Sequence, residues 1–197
     1  MYTSAAARSL LVNLDDPREA VATIAELIER GWTEDEVRAQ LSARRWQRLG
    51  RAVLQHNGTP TRAEICEIAL RNCGRQSILT AFTAVEALGL KTWERDSVHV
   101  LVPGGAHITR VRALPMRVHY VGDWSVVESY GARRLHRAAP AHVLAAGTFT
   151  TPRPACGLLA AGVQQRLVTA GQLRDAVATS PRIRHRAAML TAIEDIA

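Results

Sequence analysis

Apolar residues recur at helical spacing through the first part of the chain, and breaker residues cut the pattern into short pieces. Residues 4–14 form a short amphipathic stretch that stops at Asp15-Asp16-Pro17. Pro17 suits the first turn of a second helix, where its missing N–H is not needed, and Asp16 suits the cap before it. That helix is predicted over residues 17–30, with Val21, Ile24, Ala25 and Ile28 as its buried stripe and Gly31 just past its end. Thr33 then opens a third helix, because its hydroxyl can accept from the Glu36 amide while the Glu36 carboxylate reaches back to the Thr33 amide. Val37 and Leu41, one turn apart, face inward. Two helices joined by a short turn containing glycine make a helix-turn-helix. Residues 46–49 and 52–55 read as two short strands around Gly50-Arg51, and Asn57-Gly58 closes this ribbon with a turn.

Beyond the ribbon, Thr61 caps a helix that runs to Asn72, with Ile65, Ile68 and Ala69 inward. Residues 76–88 carry Leu79, Phe82, Val85 and Leu88 at helical spacing and stop at Gly89, which predicts the second member of a helical pair. The character then changes. Residues 97–102 alternate around His99 and read as a strand closed by Pro103-Gly104-Gly105. Residues 108–111 and 116–121 read as a hairpin about Ala113-Leu114-Pro115, with Arg110, Arg112, Arg117 and His119 at its polar positions. Helical spacing returns over residues 139–146, 152–167, 170–179 and 184–196, and no internal repeat or low-complexity linker interrupts the chain. The whole pattern predicts an α+β protein: a winged helix-turn-helix over residues 1–58, then a mixed domain of helices with a small antiparallel sheet over residues 59–197.

At 197 residues the chain suits one or two domains. Its net charge of +7 is unevenly placed: residues 1–58 balance eight Arg against eight acids, whereas residues 131–197 hold nine Arg and three acids. A basic balance attracts polyanions, or an acidic protein surface, without implying that sequence is read. Lys91 is the only lysine, so arginine is common everywhere and its placement carries more weight than its number. Cys66, Cys73 and Cys156 lack metal-ligand spacing, and Cys66 and Cys73 sit seven apart on a predicted helix, too far to bridge. An odd cysteine count, an opening that reads as an ordinary first helix, and no apolar run of about 20 residues lead us to expect a cytoplasmic protein away from membranes.

Candidate chemistry concentrates between Thr33 and Arg51. Three acids, Glu34, Asp35 and Glu36, open the third helix; no further acid follows until Glu64, while Arg38, Arg44, Arg45, Arg48 and Arg51 do. Residues in the first turns of such a helix contact base edges in the major groove. Thr33, Glu34, Arg38 and Gln40 are the candidates, with Glu34 also suited to the helix dipole. A guanidinium can bond guanine O6 and N7 together, and a Gln amide pairs with adenine, so Arg38 and Gln40 are the base readers. Arg44, Arg45, Gln47, Arg48 and Arg51 then belong to the phosphate backbone or the minor groove. The competing reading is a solvated helix whose arginines cap its own C-terminus. Arg133, Arg134 and Arg137 form a second basic patch, which reads as a solvated loop before a helix, an extended phosphate track or a surface for an acidic protein. Trp32 and Trp46 are expected to pack at the junction of helix and wing, and His99 and His119 to face each other across strands. No metal site, cofactor or catalytic constellation is expected: HExxH, CxxC, phosphate-loop and nucleophile–base patterns are all missing from the sequence.

The run GWTEDEVRAQLSARRWQRLGRAVL resembles the N-terminal winged helix of actinobacterial AbiEi-type antitoxins of type IV toxin-antitoxin systems. The resemblance continues through SILTAFTAVEALGL, VHVLVP, residues 107–121 and AAGVQQRLVTAGQLRDAV, covering most of the chain. It implies an N-terminal DNA-binding domain, autorepression of an operon, and neutralisation of a nucleotidyltransferase toxin. Many relatives carry a further C-terminal domain similar to very-short-patch-repair endonucleases; the expectation is that this chain lacks it, so no nuclease residue is carried over. Ala52-Val53-Leu54 stands where relatives have Gly-Val-Tyr. Three functions stay open at this point: a non-enzymatic regulator on double-stranded DNA as monomer or homodimer, a module that holds a toxin protein, and the DNA-recognition half of an endonuclease.

Overall fold

The computed structural model describes residues 16–131 and 134–197, so the helix expected over residues 4–14 lies outside the described residues. The protein is mixed α+β, with one sheet of three strands and one of five. It forms two compact units, the chain up to Gln76 with Gly105–Leu114, and Ser77–Gly104 with Pro115–Ala197. No helix among the described residues is long and apolar enough to cross a membrane.

The first unit runs α1 (Pro17–Ala20), β1 (Val21–Thr23), α2 (Ile24–Glu29), α3 (Glu34–Ser42), β2 (Gln47–Leu49), β3 (Ala52–Leu54) and α4 (Arg62–Cys73). All three strands are antiparallel with β3 in the centre: Leu54 faces Val21 on one side and Gln47 on the other. The two faces of this sheet carry different cores. Val21, Ala52 and Leu54 pack with Ile68 of α4, while Ala22 and Val53 pack with Leu27, Trp32, Val37 and Trp46. Alternation along strands of period two produces this division.

The single helix expected over residues 17–30 is therefore two short helices with a strand between them. β-Branched Val21 and Thr23 extend to pair with β3, and Thr23 becomes the N-cap of α2 with Glu26 completing its box. The break rotates the inward face. Leu27 is fully buried, whereas Ile28, expected in the stripe, is 42% exposed. Thr33 with Glu36 and Thr61 with Glu64 make the same reciprocal box at α3 and α4. Glu26 also receives the Arg71 guanidinium at 2.9 Å, which ties α4 to α2. Burial would raise the Glu26 carboxyl, but the Thr23 amide and the Arg71 charge outweigh it and hold it below its ordinary value.

One buried side chain joins the ribbon to α4. The Asn72 amide nitrogen donates to Leu49 O at 2.9 Å and to Ile68 O at 2.8 Å, and its amide oxygen accepts from the Arg51 N–H at 2.9 Å. Its backbone carbonyl accepts from the Thr109 N–H at 2.9 Å. Gly50 sits against it at φ +69, and any Cβ there would collide with the Asn72 amide oxygen.

The second unit contains β4 (Ile78–Leu79), α5 (Ala81–Ala87), β5 (Val98–Pro103), β6 (Met116–Val121), β7 (Ser129–Tyr130) and β8 (Leu135–His136). Four helices follow, α6 (Ala138–Ala146), α7 (Pro152–Gln164), α8 (Ala170–Ala178) and α9 (Arg186–Asp195), close to their expected bounds. The sheet order is β6-β5-β4-β8-β7. It is mixed rather than antiparallel: β5 and β6 are parallel, as are β4 and β8.

Two expectations fail here. Residues 108–111 form no strand beside β6: Gly105–Leu114 belongs to the first unit, where the Thr109 N–H donates to the Asn72 carbonyl. The helix expected over residues 76–88 starts only at Ala81, because Ile78 and Leu79 are an interior strand with β5 and β8 at its edges. Residues Val98 to Val102 are all buried instead of alternating, as an interior strand covered on both faces requires. Among the helices, α6 packs on α5, α7 and α8. Gly162 of α7 lies so near α6 that an added Cβ would stand 2.6 Å from His142 Nε2.

Removing the Asn72 side chain leaves the Leu49 carbonyl and Arg51 amide without their buried partner. Asn72→Ala is expected to lower stability by about 2–4 kcal/mol, read from the midpoint of urea unfolding. Gly50→Ala should destabilise in the same direction through the collision with Asn72, and wild-type midpoints for both would contradict the arrangement.

Candidate nucleic-acid interface

The α3 helix and the β2–β3 ribbon carry the residues singled out for DNA. Thr33 is committed to its own cap: its N–H donates to Glu36 Oε2 at 2.8 Å and its hydroxyl accepts from the Glu36 N–H at 3.2 Å. Glu34, Asp35, Arg38 and Ala39 are exposed, as are Ser42 and Ala43 at the end of the helix. Arg38 lies on the solvent face and bonds Asp35 at 2.7 Å, with both side chains largely in water. Gln40 Oε1 accepts from Arg45 Nε at 2.7 Å, so the oxygen that adenine recognition needs is held by a neighbour.

Past α3 the chain turns sharply. Arg44 takes the left-handed conformation at φ +54, its N–H donating to Leu41 O at 3.1 Å, and Arg45 N–H returns to Gln40 O at 3.1 Å. Side chains rarely adopt that conformation, and glycine is the usual occupant of such a helix end. Arg44 and Arg45 are both exposed there. Trp46 turns inward and meets Trp32 edge-to-face with centroids 4.8 Å apart, so this pair packs together as expected.

On the ribbon, Arg48 and Arg51 are exposed, and Arg48 Nε donates to Gly50 O at 3.3 Å. Gln47 has different work: its amide donates to His56 O at 3.2 Å and Gly58 O at 2.7 Å, pinning the segment after β3. His56 continues that clamp, bonding Glu64 Oε1 at 2.7 Å through Nε2 while Nδ1 accepts from the Gly58 N–H at 3.1 Å. Burial would raise the Glu64 carboxyl, but the Thr61 amide and His56 outweigh it and hold it low. Arg38, Arg44, Arg45, Arg48 and Arg51 are thus exposed on α3, at its end and on the ribbon, whereas Thr33 and Gln47 serve the fold. Sequence reading missed Asn72 and the His56–Glu64 clamp that set the ribbon. A polar residue at the predicted end of a helix was the available signal for Asn72.

The second basic patch is described only in part. Arg133 lies outside the described residues. Arg134 Nε donates to Ser77 O at 2.9 Å and its Nη2 to Ser77 Oγ at 2.6 Å, so this guanidinium ties β8 to β4. Arg137 is exposed, with its guanidinium 4.5 Å from the Tyr130 ring centroid.

His99 and His119 do face each other across β5 and β6. Their rings stack, with His99 Nδ1 3.0 Å from His119 Nε2, and Ser97 Oγ lies 3.3 Å from His99 Nε2. His136 bonds the buried Thr80 hydroxyl through Nδ1 at 2.8 Å. Burial, with Arg117 beside it, pushes His119 down to about 4. Burial, with His119 nearby, does the same to His136. One proton between each bonded pair suffices for these contacts. Among the described residues no three His, Cys, Asp or Glu side chains are grouped to hold a metal ion.

No family model matches the chain, and no curated protein matches it.

Because His119 and His136 sit below their ordinary value of 6.5 in the folded protein, the stability they contribute is complete above pH 6.5 and falls as pH drops towards about 4. Glu26 and Glu64, also held low, lose their contribution only below their ordinary value of 4.5. Thermal melts from pH 7.5 to 4 should therefore show a loss that starts before any carboxylate titrates. A His119→Leu variant should flatten the upper part of that curve; an unchanged curve would contradict the assignment.

Proposed function

We propose that the first unit is a winged helix-turn-helix that binds duplex DNA, and that the protein is a non-enzymatic DNA-binding regulator, an antitoxin-like repressor by its resemblance. One observation carries the reading: α2, a turn and α3 stand on a sheet of order β1-β3-β2 whose β2–β3 ribbon, with the end of α3, exposes four arginines and no acid. In this reading α3 enters the major groove and the ribbon is the wing. Ala39, Ser42 and Ala43 are small enough to let the helix approach base edges.

Magnitudes favour binding over the resting contacts. An exposed pair such as Arg38–Asp35 contributes at most about 1 kcal/mol, whereas a bidentate guanidinium on guanine discriminates by about 1–3 kcal/mol. Arg38 thus exchanges Asp35 for a base at little cost. Gln40 must first release Arg45, which links base reading at one residue to phosphate contact at the other. Arg44, Arg45, Arg48 and Arg51 hold the backbone. The partner toxin and the autorepressed operon rest on the family resemblance alone.

Fluorescence anisotropy with a duplex from the region upstream of its own reading frame tests this. Arg44→Ala with Arg45→Ala should weaken binding to every sequence and reduce the slope of log affinity against log salt by about 2. Arg38→Ala should instead relax preference among sequences. Arg44→Gly separates folding from binding: it relieves the left-handed strain, so stability holds or rises by about 1 kcal/mol while affinity falls. Affinity unchanged in all of these variants would sink the proposal.

A further inference from the structure

The five-stranded sheet ends in two very different edges. At one, β7 is only two residues long, and the edge strands β1 and β2 of the smaller sheet have three residues each. At the other, β6 runs six residues, and among the described residues no strand stands beyond it. Its sequence, MRVHYV, holds no Pro, Gly or Lys. Its register with β5 is one-to-one from Met116 to Val121, without a bulge. Proteins usually blunt an edge by shortening it, bulging it or placing Lys or Pro on it. Here only Arg117 carries a permanent charge.

Backbone hydrogen bonding gives this edge a free side. The Val98 N–H donates to Pro115 O, and the Gly104 N–H to Val121 O. In a parallel pair, alternate residues turn both backbone groups towards the neighbouring strand. On β6 these are Arg117, His119 and Val121, so Val118 and Tyr120 turn their N–H and C=O away from β5. Tyr120 is 55% exposed, a large ring standing in water on this strand.

The two faces of the strand differ in chemistry. Met116, Val118 and Tyr120 share a face with their register partners Val98, Val100 and Val102, which are fully buried. The apolar layer on β5 thus runs out to β6 and stops there. Arg117 and His119 share the other face, where His119 meets His99. Pushed down to about 4 chiefly by burial, His119 is uncharged near neutral pH.

An identical strand laid antiparallel on this edge matches both faces. With Val118 opposite Val118 of the second copy, Met116 falls opposite Tyr120 and Arg117 opposite His119. Apolar side chains then meet on one face, with a thioether against an aromatic ring. On the other, each guanidinium meets an uncharged imidazole. Moving the axis one residue towards the start of β6 would oppose Arg117 to Arg117, and one residue towards its end would set Arg117 against Val121.

We propose that β6 is a self-association edge, at which two copies of this chain pair antiparallel about a two-fold axis at Val118 and join their five-stranded sheets. Such a contact is isologous and closes at two copies. It lies within the second unit and does not rest on the winged-helix reading. One strand pair is a small interface, so the dimer dissociates at about micromolar concentration.

Sedimentation velocity of the full chain across that range tests the proposal, with a concentration-dependent dimer expected. Tyr120→Lys places a charge on the edge, and Val118→Pro removes an outward N–H that the monomer does not use. Each should weaken the dimer by at least about tenfold. Melting curves check that the variants fold, and Tyr120→Lys decides alone if the proline variant does not. Ile28→Lys, at an exposed apolar residue of the first unit, should leave the dimer unchanged. In a mixture of isotope-labelled and unlabelled chains, contacts between copies should join the Tyr120 ring to the Met116 methyl. A monomer throughout, a dimer indifferent to the edge substitutions or equally weakened by Ile28→Lys, or contacts between copies that leave out β6 overturns the proposal.

Discussion

The side chain of Asn72 governs where the arginine ribbon sits. It is fully buried and completes bonds to Leu49, Arg51 and Ile68, while its carbonyl takes the Thr109 amide. A net hydrogen bond contributes only about 1 kcal/mol, but a buried group left unpaired costs more than its bond contributes. The β2–β3 turn, the end of α4 and the segment Gly105–Leu114 are therefore held as one arrangement. Gly50 is part of it, since only a residue without Cβ fits between the turn and Asn72. The Gln47 and His56 clamps fix the other end of the ribbon to the start of α4. With both ends held, Arg48 and Arg51 are displayed on a rigid strand pair instead of a loose loop.

Local signals in the sequence were reliable where local chemistry decides the structure. Thr33 with Glu36 fixes the start of α3 because both partners lie within one turn, and Trp32 with Trp46 meet because the short turn between α3 and β2 leaves them no other core. Signals failed where a distant partner decides. Val21-Ala22-Thr23 suits a helix until β3 offers an edge, and Ile78-Leu79 suits one until β5 and β8 offer two. Residues 108–111 alternate like a strand, but they belong to the first unit, where the Thr109 N–H donates to the distant Asn72 carbonyl.

Candidate residues followed the same division. Exposed arginines on α3 and the ribbon were legible because charge and position suffice to place them. Gln47 and Arg134 looked equally available, yet each satisfies backbone carbonyls or a hydroxyl brought close only by folding. The basic excess of the last third was visible as a number, but not its location.

The central claim is that α3 and the ribbon form the surface that meets DNA. Amide chemical-shift mapping of the full chain, titrated with a duplex from its own upstream region, reads that surface directly. A winged-helix interface requires the largest shifts at residues 33–45 and 47–52, centred on Arg38, Arg44 and Arg48. Shifts absent from these residues at saturation, or confined to the second unit, would contradict it.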